Sequence, residues 1–466
     1  TIQVCKIYKF MSSDYLTDAN KAKLKLDKVS DTMCLAKWMQ TSLHLTNGMT
    51  NSCYHPPLHK IDVEQIKTNP AKLHNTDDKK IQRDQMIHGK RPSGCSYCWK
   101  LEDDKQMSDR HYRSGEPWAM DHYQNILDNP QGDIVPTYVE VDFSNACNFK
   151  CSYCSPQFST AWAKETEEQG SWPTSTPHND PLHFQGDRKV MPQNNNPYVE
   201  AFWKWWPELY PQLRHFRMTG GEPMMDKNTY KVLEYVIDHP KKDLHLNVTS
   251  NMCPPDKKLK NKYYDMVKRI CLDEHVEHFM QFVSVDAFGK KAEYVRHGLD
   301  WSYFQDNVEE FLERIPVRNS VTFIITYNNL SVTSLHKLLE YIRQLRQRFS
   351  KTYQRVWFDI PLLRQPAWQQ ITLLPQSYQQ IHEDNITMMQ QFQEGVYKDS
   401  EYAVFKDFEI QKMLRNLAYW RQNYSADAKH KKNFYAFFNE HDRRRGTSFE
   451  NTFPEMEEFW QECKNA

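Results

Sequence analysis

Apolar residues recur along this chain with two different periods. Six short β-rich runs, Tyr138 to Phe143, His215 to Thr219, Leu244 to Ser250, Phe279 to Val285, Val321 to Tyr327 and Val356 to Leu362, are separated by stretches with helical spacing. Examples of the latter are Tyr230, Val232, Leu233, Tyr235 and Val236, and Leu335, Leu338, Leu339, Ile342 and Leu345. Strand and helix alternating in this way predict βαβ units on a parallel sheet, hence an α/β fold. Six repeats over 135–362 predict a partial (β/α)6 barrel, open rather than closed at eight strands. The polar, proline-containing stretch from Ala163 to Asn195 reads as an insertion after the first strand, and no internal repeat is visible.

The flanks read differently. Residues 1–33 form a lysine-rich lead with little periodicity, expected to be an arm or an irregular first element. Residues 34–115 hold four cysteines, several prolines and short apolar runs such as Trp38 to Leu45, the marks of a small loop-rich module. A module of that kind needs a metal or other staple. A linker through Pro117 and Pro130 follows. Residues 363–466 are helical and aromatic-rich, with Phe434, Tyr435, Phe437, Phe438, Phe449, Phe453, Phe459 and Trp460, and read as a cap packed on the barrel, with a substrate-covering lid as the alternative. The tract Arg443, Arg444, Arg445 reads as a solvated or salt-bridged turn rather than a nucleic-acid patch.

Charge narrows the partners. Lysine plus arginine and aspartate plus glutamate each count 60, so the formal net charge is zero and no global field draws the chain to nucleic acid or to an anionic membrane. No apolar run reaches membrane-spanning length, and Thr1 to Phe10 lacks the order of a secretory signal. The expectation is a soluble cytoplasmic protein with neither nucleic-acid nor membrane partners. Of eleven cysteines, seven fall into two spaced groups, while Cys5, Cys253, Cys271 and Cys463 have no partner spacing and read as inert thiols, although Cys253 lies just beyond the third strand. In a reducing compartment such groups bind metal or do redox chemistry.

The first group, Cys147, Cys151 and Cys154, lies directly after the first strand of the barrel. Three thiolates in one tight loop are soft ligands for iron-sulfur or zinc, and three leave one iron of a [4Fe-4S] cluster without a protein ligand. A zinc site completed by histidine is the alternative. The C-x3-C-x2-C spacing with Tyr153 before the last cysteine resembles the cluster loop of the radical S-adenosylmethionine superfamily. Gly220, Gly221, Glu222 and Pro223, closing the second strand, resemble that superfamily's GGEP motif. Glycines there let the backbone approach a ligand, and the carboxylate accepts from an ammonium.

The resemblance implies that Cys147, Cys151 and Cys154 hold three irons of a [4Fe-4S] cluster and that S-adenosylmethionine chelates the fourth. Gly220, Gly221 and Glu222 would meet the methionyl amino group, and Tyr153 would lie near the adenine. Reductive cleavage would then give methionine and a 5'-deoxyadenosyl radical that abstracts hydrogen from substrate. A low-potential donor such as flavodoxin or ferredoxin is the implied electron source. The polar residues that end the later strands, Thr249, Ser250 and Asn251, then Ser284 and Asp286, then Asn328 and Asn329, occupy the end of an α/β barrel where active sites are built. Ser250, Asn251, Ser284 and Asp286 are therefore candidates near the cofactor ribose or the substrate, or else simple turn formers. The stretch Ser284 to Trp301 resembles peptide-modifying radical enzymes, in which Arg296 would meet the S-adenosylmethionine carboxylate; a surface arginine is the alternative.

The second group precedes the barrel: Cys34, Gly48, Cys53, then Cys95 and Cys98. Its C-x13-G-x4-C and C-x2-C spacings are similar to the first half of the SPASM and twitch modules, which imply an auxiliary [4Fe-4S] cluster, with Gly48 turning a hairpin. Those modules normally follow the barrel, and this one precedes it. A structural zinc with four sulfur ligands is the alternative, and His55 and His59 flank Cys53 as substitute ligands. The reading is an enzyme that modifies an unactivated C-H position, on a peptide side chain by family analogy. The alternatives are a dehydrogenase or rearranging enzyme for a small metabolite, supported by the lack of a clear leader-binding winged module, and an inactive metal-stabilised scaffold.

Overall fold

The computed structural model describes residues 13–176, 178–179, 185, 189–394 and 402–466. Eleven strands are present among them: β1 Gln40–His44, β2 Met49–Asn51, β3 His59–Lys60, β4 Tyr138–Asp142, β5 Lys150–Cys151, β6 His215–Thr219, β7 Lys241–Ser250, β8 Val276–Ser284, β9 Arg296–His297, β10 Asn319–Ile324 and β11 Val356–Asp359. Nine form one sheet in the order β11-β10-β8-β7-β6-β4-β1-β2-β3, while β5 and β9 pair separately. The six expected runs are β4, β6, β7, β8, β10 and β11, in sequence order across the sheet. Pairing is parallel where β4 meets β6, where β10 meets β8 and where β10 meets β11. Helices Lys227–Asp238, Lys257–Leu272, Trp301–Arg314 and Leu335–Phe349 connect successive strands, as a parallel sheet requires. The architecture is the open α/β barrel the periodicity predicted.

The described residues fall into two compact units. The first is drawn from Thr1–Ser144, Lys189–Gly220 and His239–Asn247, and the second from Asn145–Arg188, Gly221–Asp238 and Val248–Ala466.

In the first unit the cysteine-rich segment does not stop short of the sheet. Strand β1 pairs parallel with β4, Gln40 to Tyr138 through His44 to Asp142, so the segment supplies its own strand to the edge where β4 would otherwise end the barrel. Asp142 accepts from His44 Nδ1 at 2.6 Å and from the Thr46 amide at 3.1 Å, which pins that pairing. Burial disfavours the His44 cation, but the Asp142 carboxylate outweighs it and raises the imidazole above its ordinary pKa. Strand β2 folds back antiparallel on β1. Gly48 makes that turn at φ +68, as the spacing implied, and a Cβ there would meet the Tyr198 ring at 2.0 Å.

Two expectations for the flanks are revised. Part of the lysine-rich lead is a helix, Ser13–Leu26, whose Ala19, Ala22 and Leu26 are buried at helical spacing. Its apolar stripe is made mostly of alanine, too weak a signal among lysines to read as periodic. The linker is also structured: helices Pro117–Met120 and Tyr123–Asp128 bring Trp118 and Ile126 into a core with Leu26, Trp38, Met86 and Trp99. The insertion after the first strand opens with a helix, Thr160–Gln169, capped by the Ser159 hydroxyl. Cys5 lies outside the described residues.

In the second unit the C-terminal region is helical, with Gln379–Gln393, Asp407–Asn423, Ala428–Arg445 and Glu457–Lys464 as its longer elements. Phe434, Phe437, Phe438, Phe449, Phe453, Phe459 and Trp460 are buried against one another, with Phe449 and Trp460 stacked at 4.3 Å. Tyr294, from the helix after β8, joins this cluster through His441 at 4.4 Å and Phe453 at 5.3 Å. No helix among the described residues is long and apolar enough to cross a membrane.

Candidate functional site

The first cysteine group sits in the loop after β4. Cys151 is buried, and Cys147 and Cys154 are partly exposed. Burial raises all three thiols above the ordinary cysteine range, Cys154 to about 12, and each of Cys147 and Cys154 is raised further by Cys151. Arg296 acts downward on Cys151 and Cys154, so one fixed cation already faces this thiol set.

What holds the loop is the segment Lys290–His297. Cys151 and Arg296 are partners in the β5–β9 ladder, and the Ser152 amide donates to the Val295 carbonyl at 2.8 Å. Arg296 is not the surface arginine of the alternative reading. It is buried, and its Nε and Nη2 donate to the two carboxylate oxygens of Asp286 at 2.8 and 3.0 Å. Its Nη2 also donates to the Tyr153 hydroxyl at 2.6 Å, and Tyr153 donates in turn to Asp286 at 2.7 Å. The Arg296 Nη1 lies 3.7 Å from the Cys151 sulfur. Burial opposes its charge, but Asp286, Tyr153 and Cys151 overcome that and hold it well above the usual arginine range. Tyr153, Asp286 and Arg296 are thus one interlocked group, with the arginine fork already bidentate on protein.

The GGEP turn meets the start of the same loop. The Glu222 amide donates to the Ala146 carbonyl at 2.6 Å. A Cβ at Gly221 would stand 2.3 Å from that carbonyl oxygen, and one at Gly220, whose φ is +116, would stand 2.8 Å from the Asp142 Cβ. The two glycines therefore serve close approach to the chain's own backbone at 142–146, where the expectation was approach to a ligand. Pro223 opens the short 3-10 turn that follows.

Glu222 is almost wholly buried, at 1% exposure. It accepts from the Met224 amide at 3.0 Å, the Ser250 hydroxyl at 2.8 Å and the Asn251 amide at 2.7 Å. None of these donors is a cation. Burial pushes its carboxyl up to about 7, although the Asn251, Met224 and Ser250 bonds pull the other way. Asn251 also donates from its side chain to Asn148 at 3.1 Å, and Asn148 donates to the Cys253 carbonyl at 2.8 Å. Ser250 and Asn251, expected near ribose or substrate, are tied to Glu222 and to the cysteine loop. Ser284 closes β8 half-buried, in register with Ile324. Cys253, Cys271 and Cys463 are buried, as inert thiols should be.

Several supporting residues carried no motif signal. Gln369 and Ser152 bond reciprocally, at 2.9 Å between side chains and 3.1 Å from the Gln369 amide to the Ser152 carbonyl. Asn329 donates to the Trp368 carbonyl at 2.9 Å, on the short 3-10 turn Ala367–Gln369 that carries Gln369. Arg445 takes the salt-bridged side of the expectation, with its side chain buried at the end of a helix, donating to the Lys150 carbonyl at 2.8 Å and to Glu165 at 3.0 and 3.2 Å. Trp162, under the Arg445 guanidinium at 4.8 Å, donates to the Cys151 carbonyl at 2.9 Å. Arg444 lies over Trp172 at 4.3 Å.

In the first unit, Cys34, Cys53, Cys95 and Cys98 line one cavity with Lys37 and Arg110. Cys34, Cys95 and Cys98 are buried and Cys53 is half-buried. Burial raises Cys34, Cys53 and Cys98, Cys53 to about 12, and neighbouring thiols of the same set add to each shift. Sequence positions far apart are therefore brought to one place by the β1–β2 hairpin and by the helix Ser96–Asp103. His55 also lines the cavity but is held by Asp109 at 2.7 Å, and His59 bonds Thr76 at 2.8 Å instead. Among the described residues, no three or more histidine, cysteine, aspartate or glutamate side chains are drawn together tightly enough to hold a single metal ion.

No protein-family model and no curated protein matches this sequence. Among solved structures, SuiB of Streptococcus suis bound to S-adenosylmethionine matches with a TM-score of 0.37 and 11% identity, over 76% of this chain and 69% of that one.

Proposed function

We propose that this chain is a radical S-adenosylmethionine enzyme that abstracts hydrogen from an unactivated C-H position. The observation that carries the reading is Glu222: a buried carboxylate with three neutral donors and no cation, one hydrogen bond away from the loop of three thiols. A carboxylate so placed lacks a positive partner, and the ammonium of a methionyl group is such a partner. The donor chemistry fits as well, since three soft thiolates suit three irons of a [4Fe-4S] cluster.

In this reading Cys147, Cys151 and Cys154 would hold the cluster, and Glu222 would take the amino group of S-adenosylmethionine. The cluster and S-adenosylmethionine, when bound, supply a 5'-deoxyadenosyl radical by one-electron cleavage of the sulfonium. The chain's own residues position and insulate. Arg296 fixes a positive charge 3.7 Å from the Cys151 sulfur, and Asp286 and Tyr153 keep it there. Asn148 and Asn251 lock the cysteine loop to the turn beyond β7. With Arg296 committed to Asp286, contact with the methionyl carboxylate would use only its Nη1 edge or a rearrangement of the pair.

The four N-terminal cysteines would hold a second, auxiliary [4Fe-4S] cluster, and a flavodoxin or ferredoxin would deliver the electron. The substrate we propose is a peptide side chain, on the resemblance of Ser284 to Trp301 to peptide-modifying enzymes. The test is S-adenosylmethionine turnover by reconstituted protein with candidate peptides and with small metabolites. Stimulation and deuterium transfer from peptide C-H positions are expected. Transfer from a metabolite alone would move the substrate to the small-molecule class, and loss of S-adenosylmethionine binding is expected in Glu222→Ala.

A further inference from the structure

His44 and Asp142 close the parallel pair β1–β4 at its carboxyl end, the end of an α/β sheet where active sites are built. Gln40, Ser42 and His44 share one face with Tyr138, Glu140 and Asp142, and through β6 with His215, Arg217 and Thr219. The opposite face, with Val139, Val141, Phe216 and Met218, is fully buried, and Phe216 lies against Phe202 and Trp206 of the helix Pro197–Leu209. His44 is therefore on the face turned away from that helix. Its side chain is 19% exposed, and Glu140 and Arg217 on the same face are also only partly buried.

Asp142 is buried and accepts from His44 Nδ1 at 2.6 Å, from the Thr46 amide at 3.1 Å and from the Thr46 hydroxyl. A carboxylate can only accept, so Nδ1 carries a proton and the neutral ring keeps its lone pair on Nε2. Among the described residues Nε2 has no hydrogen-bond partner. Ser42, two residues earlier on the same face, is 3% exposed, and its Oγ also meets no partner among the described residues. Pinning β1 to β4 uses the Nδ1 side of the ring alone. The accessible Nε2 and the unpaired hydroxyl beside it are what a polar ligand would engage.

We propose that His44 is a catalytic acid–base residue that takes a proton from the substrate through Nε2, with Asp142 as its positioning residue, and that the reacting substrate carbon carries an O–H or N–H. The inference rests on the reading of this chain as a hydrogen-abstracting enzyme. Loss of a hydrogen atom from such a carbon leaves a radical delocalised onto the neighbouring oxygen or nitrogen, which makes the proton there acidic. In the transfer the O–H or N–H bond breaks, an Nε2–H bond forms, and the electron pair stays on the substrate heteroatom. The imidazolium so formed is paired with the Asp142 carboxylate. Burial and Lys79, on the helix Asp77–Ile87, lower the imidazole pKa, but Asp142 and Glu140 of β4 outweigh them and set it above its ordinary 6.5. Only the neutral ring accepts a proton, so the step speeds up as pH rises through that raised value.

The test uses the full chain, reconstituted with iron and sulfide and supplied with reductant and S-adenosylmethionine. The probes are short peptides whose serine, threonine or lysine is deuterated at the carbon that carries the hydroxyl or amine. The readout is probe consumed per 5'-deoxyadenosine formed, a ratio that does not depend on how much of a variant folds. His44→Gln is expected to lower it by about 100-fold. The rise of the ratio with pH in the parent should be flat in that variant, and added imidazole should restore the ratio in His44→Ala, a recovery that a strand-pinning role does not give. A parental ratio in His44→Gln, or a parent that forms 5'-deoxyadenosine and consumes none of the probes, would overturn the proposal alone. A parent that forms no 5'-deoxyadenosine would overturn it together with the reading beneath it.

Discussion

Glu222 concentrates the chemistry at the scale of single residues. Its carboxyl titrates near about 7 instead of its ordinary 4.5 because burial outweighs three hydrogen bonds. The folded unliganded chain therefore holds a proton that the unfolded chain has released, and its stability falls as pH rises from about 4.5 through about 7. The contribution is on the order of 3 kcal/mol. Urea unfolding of apo protein across that range should show this slope, and Glu222→Gln should flatten it. A ligand ammonium demands the ionised form, so S-adenosylmethionine should bind more tightly as pH passes upward through about 7, with proton release on binding below it. Calorimetry in buffers of different ionisation enthalpy measures that proton. Asp286 is the second such residue. Asp286→Asn leaves a buried guanidinium half-paired beside Cys151, and a loss of roughly 3 kcal/mol or more is expected in chemical denaturation.

At the scale of elements, the cysteine loop depends on neighbours distant in sequence. The turn through Gly220 and Gly221 packs on 142–146, so Gly221→Ala forces a Cβ into the Ala146 carbonyl and breaks the Glu222 amide bond. A destabilisation of about 2 kcal/mol or more is expected, with weakened S-adenosylmethionine binding. The helix Ala428–Arg445 ends on the loop through Arg445. Arg445→Met should lower stability by roughly 3 kcal/mol and reduce iron at Cys147, Cys151 and Cys154, while iron at the N-terminal cysteines stays. Iron counting after separate reconstitution of each cysteine-deleted background checks this. Strands of the barrel were legible because β-branched and aromatic runs alternate with helical spacing. Arg445 was not, because an arginine tract has the same local sequence whether it faces water or a carbonyl and a glutamate.

At the scale of the whole molecule, zero net charge excluded a long-range field, and the proposed chemistry would rest on two local sets of thiols. Spacing picked out both sets, and resemblance to a family motif picked out the GGEP turn. It did not reveal that β1 extends the sheet, because parallel pairing with β4 is set by non-local contacts such as His44 on Asp142. Nor could it show Tyr153, Asp286 and Arg296 as one interlocked group, since the three come from different elements. The lysine-rich lead hid a helix because its buried face is largely alanine.

The most direct test of the account is anaerobic reconstitution followed by iron counting and an assay for 5'-deoxyadenosine after reduction. Wild type is compared with the chain carrying Cys147→Ala, Cys151→Ala and Cys154→Ala. The account predicts about eight irons per chain, falling to about four in the variant with complete loss of 5'-deoxyadenosine. A wild-type chain that assembles its cluster at Cys147, Cys151 and Cys154 and yet forms no 5'-deoxyadenosine would contradict it.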